Sequence, residues 1–215
     1  MQKLKMIKHN MDGKLIVFCG LDGCGKTTMI NMLNDYYTSQ GKTVYLTKQP
    51  TDIVRKSDMF RNFMDSPNNL KYEYRSLSLL AASDRIQHSN KVILPALATN
   101  DIVISDRYIF SCIANLRARG YEKDKWIYEI SKSIIKPDLT FFIDVSVETA
   151  IKRVRGREEE KNRYINTEFQ EKLRAEYLKI AKTNGYILIS SETQKEETFN
   201  IIKKYIEGME HKDDN

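Results

Sequence analysis

The run Gly20-Leu-Asp-Gly-Cys-Gly-Lys-Thr27 sets two glycines five positions apart and follows the second with Lys26 and Thr27, the strict spacing of a P-loop. Gly20, Gly23 and Gly25 let the backbone aim several N–H groups, Cys24 among them, at phosphate oxygens. Lys26 is then placed to reach the β and γ phosphates of ATP, Thr27 to ligate Mg²⁺, and the helix dipole acting on the turn of Thr27 and Thr28 favours the anion. An apolar strand before and a helix after complete the context. A plain glycine-rich strand-to-helix turn is the alternative, and it does not require this spacing.

Two further groups of residues point to phosphate chemistry. Ile102-Val-Ile-Ser105 reads as an apolar strand ending in Asp106-Arg107-Tyr108, an acid and a base at the edge where open α/β sheets bind ligands. Asp106 is expected to assist Mg²⁺ through water and Arg107 to hold a second anion; a surface ion pair or a helix cap is the plainer reading. The segment Lys152-Arg-Val-Arg-Gly-Arg-Glu-Glu-Glu-Lys-Asn-Arg163 is dense in charge. Phosphoryl transfer asks a protein to position groups and neutralise oxygens, which arginines closing over a donor would do. A lid over about 152–165 is expected, although a solvated face laced with i,i+4 pairs would look the same.

The elements that must carry these residues follow from hydrophobic periodicity. Leu15–Cys19, Thr43–Thr47, Ile102–Ser105, Leu139–Val145 and Tyr186–Ile189 read as five short apolar strands. Lys26–Gln40 reads as a helix with Met29, Ile30, Met32, Leu33 and Tyr36 on its apolar stripe. Leu70–Thr99 is mostly helical, with Pro95 opening or kinking a second helix, and Thr167–Thr183 and the stretch around Phe199, Ile202 and Ile206 are amphipathic. Strands alternating with helices predict an α/β fold of the P-loop NTPase type, a five-stranded parallel sheet covered by helices on both faces. His88 is expected only to decorate or cap a helix, and Cys24 and Cys112 to be small residues in tight places, with modification of Cys24 beside the phosphates as the alternative.

With 215 residues, 41% of them hydrophobic, and no Pro/Gly-rich linker or repeat, one domain over 1–215 with a short polar tail at 210–215 is expected. No apolar run reaches the roughly 18–20 residues that cross a bilayer, and the first 14 residues are too polar for a signal peptide, so a cytoplasmic protein without a membrane partner is expected. Three cysteines and three histidines in no ligand spacing argue against a disulfide framework or a zinc site. The net charge of +6 permits phosphate ligands or nucleic acid, but no aromatic-basic signature of a nucleic-acid module is present.

Gly20-Leu-Asp-Gly-Cys-Gly-Lys-Thr-Thr28, Ala82-Ser-Asp-Arg-Ile-Gln87, Asp106-Arg107-Tyr108, Lys136-Pro-Asp-Leu139 and the arginine-rich segment occur in the order found in thymidylate kinases, and the chain resembles that family from about Leu15 to Ile206. The resemblance implies transfer of the ATP γ-phosphoryl group to a nucleoside 5′-monophosphate, with Mg²⁺, in a homodimer. By the same resemblance Asp22 addresses the acceptor's 3′-hydroxyl, Arg107 its phosphate and Arg85 the pyrimidine edge. Arg153 stacks on the donor adenine, Tyr164 and Gln170 line the acceptor pocket, and the catalytic arginine comes from Arg155, Arg157 or Arg163.

Departures from the family pattern lie on the acceptor side. Lys48-Gln49-Pro50 stands where the family often has Arg-Glu-Pro, Ala81 where an aromatic stacks on the base, and Asn115 where Tyr or Phe crowds the sugar's 2′ position. Leu116 and Ile165 replace the usual Gln and acid. These imply a wider base pocket and relaxed selectivity, unless Tyr74 or Tyr108 supplies the missing ring. A kinase for another or a modified monophosphate therefore stays open beside dTMP, as does an ATP-dependent switch that phosphorylates no acceptor.

Overall fold

A computed structural model of the chain describes residues 1–65 and 70–213. Its centre is a strand whose sequence leaves no polar face: β1 (Lys14–Cys19) is fully buried from Leu15 to Cys19, as a strand covered on both sides must be. After helix α1 (Lys26–Ser39) come β2 (Val44–Lys48), β3 (Ile102–Asp106), β4 (Leu139–Asp144) and β5 (Ile187–Ser190), one parallel sheet in the order β2-β3-β1-β4-β5. The chain leaves β1 toward one edge and returns to build the other. The crevice this reversal opens lies at the carboxyl ends of β1 and β3. Register brings Phe18 beside Asp106 and Asp106 beside Lys48, so all three strands end at one level.

Between β2 and β3 run α2 (Asp52–Arg55), α3 (Asp58–Asp65), α4 (Tyr74–His88) and α5 (Leu94–Thr99). The expected helical stretch 70–99 is thus interrupted: a π-helical turn over Ser89–Ile93 joins α4 to α5 just before Pro95, which has no N–H to continue an i→i−4 ladder. After β3 come α6 (Ile109–Ala118) and α7 (Trp126–Ser131), and after β4 come α8 (Val147–Arg155) and α9 (Thr167–Asn184). The Oγ of Ser146 caps α8, and the Oδ1 of Asn166 caps α9 by accepting from the Phe169 N–H at 2.9 Å. Helix α10 (Lys195–Asp213) runs through most of the expected polar tail; residues 214 and 215 lie outside the described residues.

Adjacent residues of a strand point to opposite faces, and their partners show which helices cover which side. Phe142 meets Tyr177 of α9 and Phe110 of α6, whereas Phe141 meets Tyr205 of α10 and stacks on Phe18. On α1 it is Tyr37, not Tyr36, whose ring is fully enclosed. A buried ion pair, Arg117 Nε to Glu176 Oε2 at 2.6 Å, ties α6 to α9. Among the described residues no helix is long and apolar enough to cross a membrane, and no His, Cys, Asp and Glu residues are grouped to hold a metal ion.

Candidate active site

The loop between β1 and α1 is shaped by glycines that nothing larger could replace. Gly23 has φ +83°, and a Cβ there would overlap the carbonyl oxygen of Ala150 in α8, so the loop lies directly on that helix. Gly25 (φ 94°) precedes α1 without a side-chain cap, which leaves the helix's first N–H groups open to a ligand, with Thr27 and Thr28 exposed on that first turn. Lys26 is buried and its Nζ donates to the carbonyls of Leu21 (2.7 Å) and Gly20 (3.3 Å), inside the cradle. Cys24 is fully buried, as expected of a small residue in a tight place, and its thiol is enclosed. Ser191, after β5, donates to the Cys24 carbonyl at 2.8 Å and its own carbonyl accepts from Arg153 Nη2 at 2.8 Å, which holds Arg153 against the outer side of the loop.

Arg107 stands opposite. It has φ 72°, a left-handed backbone costing roughly 1–3 kcal/mol in a residue with a side chain, held by its N–H donating to the Phe18 carbonyl at 2.8 Å and its carbonyl accepting from Ser105 Oγ at 2.8 Å. That backbone turns the guanidinium back over β1. Its Nη2 is hydrogen-bonded to Asp22 Oδ1, and its Nη1 donates to the Gly20 carbonyl and the Tyr177 hydroxyl, both at 3.1 Å. Asp22 Oδ2 accepts from Arg163 Nη2 at 3.2 Å. One P-loop carboxylate therefore joins an arginine of the sheet to an arginine of the expected lid. Arg107 holds the Asp22 carboxyl well below the usual carboxylate range. Burial opposes the charge of Arg107, but Asp22 and Tyr177 outweigh it and raise its pKa.

Of the three lid candidates only Arg163 reaches these groups; Arg155 and Arg157 are exposed and make no ion pair among the described residues. Part of the expected lid is not loop at all: Lys152, Arg153 and Arg155 belong to α8, and the connection to α9 is 156–166 with a 3₁₀ turn at Glu158–Glu160. A small cavity lies between Asp22, Val154, Arg163, Ile165 and Gln170. Gln170 and Asp22 line the same cavity, whereas Tyr164 does not line it and is 62% exposed.

Asp106 Oδ1 is buried with no hydrogen-bond partner, while Oδ2 lies 3.6 Å from Lys48 Nζ. A buried carboxylate oxygen left open at the end of β3 fits a divalent cation. Arg55 of α2 donates from Nε to the Pro50 carbonyl at 2.7 Å; burial and then the charge of Arg107 lower its pKa, against the pull of Asp106 and Asp22. Arg55 thus lies within electrostatic reach of Arg107, Asp106 and Asp22.

The remaining acceptor-side residues lie deeper than expected. Arg85 is buried, donating to the Tyr108 carbonyl (3.2 Å) and the Ala81 carbonyl (2.8 Å). Ala81 is only 8% exposed and packs into the core, so the wider pocket expected at that position is not an open wall. Asn115 Nδ2 is committed to the Ser111 carbonyl at 3.0 Å, leaving its amide oxygen as the group it can offer. Tyr108 does not replace the missing aromatic: it is fully buried and donates to the Ile135 carbonyl at 2.8 Å. Tyr74 packs edge-on to Phe63 with the Arg119 guanidinium 4.2 Å from its ring, in a cleft of about 830 Å³ that also takes in Phe169 and Lys172.

Three site residues were not singled out by sequence. Arg55 carries no motif, Ser111 is one small residue on a buried helix, and Tyr177 falls inside the stretch Thr167–Thr183 read only as an amphipathic helix. The Tyr177 hydroxyl donates to Ser111 Oγ at 3.0 Å, and burial pushes its pKa up to about 12, so it stays protonated beside Arg107.

A P-loop on a parallel sheet, with basic groups converging from a second strand end and from the connection between α8 and α9, defines a P-loop phosphotransferase. The thymidylate kinase family model matches residues 18–202. The probable thymidylate kinase of Pyrococcus abyssi is 36% identical over 177 residues, covering 80% of this chain and 84% of that protein; the thymidylate kinase of Caldanaerobacter subterraneus is 35% identical over 175 residues, covering 80% and 83%. The crystal structure of thymidylate kinase from Ehrlichia chaffeensis superposes with a TM-score of 0.67 at 26% identity, over 90% of this chain and 98% of that one. The chain belongs to the thymidylate kinase family.

Proposed function

We propose that this chain transfers the γ-phosphoryl group of ATP to dTMP. The observation that carries the reading is the joining of Arg107 and Arg163 through Asp22, beside Lys26 in its cradle: donor-side and acceptor-side cations meet at one place. An oxygen of the acceptor's phosphate attacks the γ-phosphorus as the bond to the ADP oxygen breaks, giving ADP and dTDP. Lys26 and the open N–H groups of α1 bind the donor phosphates, and Arg153 faces its adenine. Arg107 and Arg55 hold the acceptor phosphate, with Lys48 and Pro50 alongside. Asp22 takes the sugar's 3′-hydroxyl, Arg85 the pyrimidine edge, and Asn115, Tyr164 and Gln170 border the nucleoside. Arg163 follows the charge that develops on the transferred group. Thr27 and Asp106 would hold Mg²⁺, which when bound supplies charge neutralisation between the donor phosphates.

A cytoplasmic location fits these substrates. Leu79, half exposed on α4, and the exposed Leu70 support a homodimer through that helix, which light scattering at micromolar concentration would test; a monomer there refutes it. The function itself is tested by coupled ADP release across a panel of monophosphates. Turnover with dTMP is expected. ATP binding without ADP release on any acceptor would identify a switch instead.

A further inference from the structure

Arg85 lies between two α4 residues that the phosphotransfer reading leaves without a role, Asp84 and His88, both buried. One turn apart, they share a helix face. Asp84 Oδ2 accepts from the Thr51 N–H at 2.9 Å, and Asp84 Oδ1 accepts from the Thr51 hydroxyl. His88 Nδ1 accepts from Gln49 Nε2 at 3.0 Å, which leaves the ring proton on Nε2, donating to the Thr47 hydroxyl at 2.7 Å. His88 was expected to decorate a helix; it is instead a bridge, kept neutral by burial.

Thr47 is next to last in β2, and Gln49 and Thr51 lie in the bend that follows, on either side of the cis Gln49–Pro50 peptide; all three reach α4 through their hydrogen bonds to His88 and Asp84, and two residues stand between them. Those are Lys48, 3.6 Å from Asp106, and Pro50, whose carbonyl accepts from Arg55. We infer that Asp84 and His88 are positioning residues that hold the 47–51 segment against α4 and thereby set where Lys48 and Arg55 stand relative to Arg107. The inference rests on the reading of these cations as the acceptor-phosphate group. It gives α4 two jobs: one face carries Arg85, and the adjoining face aligns the strand end that carries the other acceptor-side charges.

The pinning contact is weakened by Asp84→Asn, which keeps a single acceptor oxygen, and by Thr51→Val, which loses the hydroxyl donor but keeps the N–H; both donors are retained in Thr51→Ser. Hydrogen–deuterium exchange reads the pinning without any substrate: residues 47–55 should exchange faster in Asp84→Asn and Thr51→Val, with β1 and α1 unchanged and Thr51→Ser close to wild type. In steady-state kinetics the dTMP KM should rise about tenfold or more while the ATP KM stays within about twofold. Unchanged exchange over 47–55 overturns the inference. So does faster exchange with both KM values and kcat unaltered, since the contact would then serve stability alone. A wild-type enzyme with no turnover of dTMP is a failure of the phosphotransfer reading, and exchange over 47–55 then decides the pinning by itself.

Discussion

Asp22 in the P-loop and Arg107 at the end of β3, 85 positions apart, are hydrogen-bonded to each other, and the second oxygen of Asp22 holds Arg163. Because Arg107 lowers the Asp22 pKa, the stability this pair contributes is present above the ordinary carboxylate value near 3.9 and is lost as pH falls below it toward the folded value. The difference in melting temperature between wild type and Asp22→Asn is therefore expected to stay level from pH 8 to about 5 and to shrink below about 4. A difference that has already vanished at pH 6 would show that the pair does not hold in solution.

Lys26→Ala should lower kcat by about a hundredfold or more while leaving the fold intact, because the ammonium is aimed at charge that develops in the transition state. Its ground-state partners are two loop carbonyls that water can satisfy. Circular dichroism and steady-state rates on the same preparation check both halves, and near-wild-type turnover would remove the P-loop assignment.

The three lid arginines should separate. Arg163→Ala is expected to reduce kcat by about tenfold or more with a smaller change in KM, whereas Arg155→Ala and Arg157→Ala, solvated at the end of α8 and just beyond it, should cost less. If all three keep kcat within about twofold, the segment is a charged surface and no lid.

Ala81 gives a test of base selectivity. A residue packed into the core has little room for a ring, so Ala81→Phe is expected to overpack, costing about 1–3 kcal/mol and lowering the melting temperature by about 3–10 °C, with activity falling on dTMP and dUMP alike. Calorimetry and a two-acceptor assay decide it. A shift of preference toward dTMP at unchanged melting temperature would mean that the position opens onto the base after all.

What could be read from the chain alone was whatever is encoded over short distances. Leu15–Cys19 is apolar without a break because it is buried on both faces, and the glycine spacing before Lys26 is dictated by the geometry of one turn, so β1, the P-loop and α1 were legible together. The other four strands and the length of α9 followed from the same periodicities, and the family's motifs carried Asp22, Arg85 and Arg107 to their positions. Only the tertiary structure decided that Arg163 and not Arg155 meets Asp22, that Tyr177 and Ser111 orient Arg107, that Ala81 is core, and that His88 and Asp84 bind the end of β2. Each of those contacts joins residues remote in sequence, brought together by the strand order β2-β3-β1-β4-β5, by the left-handed backbone at Arg107 and by the packing of α4, α6 and α9. Local patterns specify an element and the face it buries. Which side chains share a crevice depends on how those faces stack.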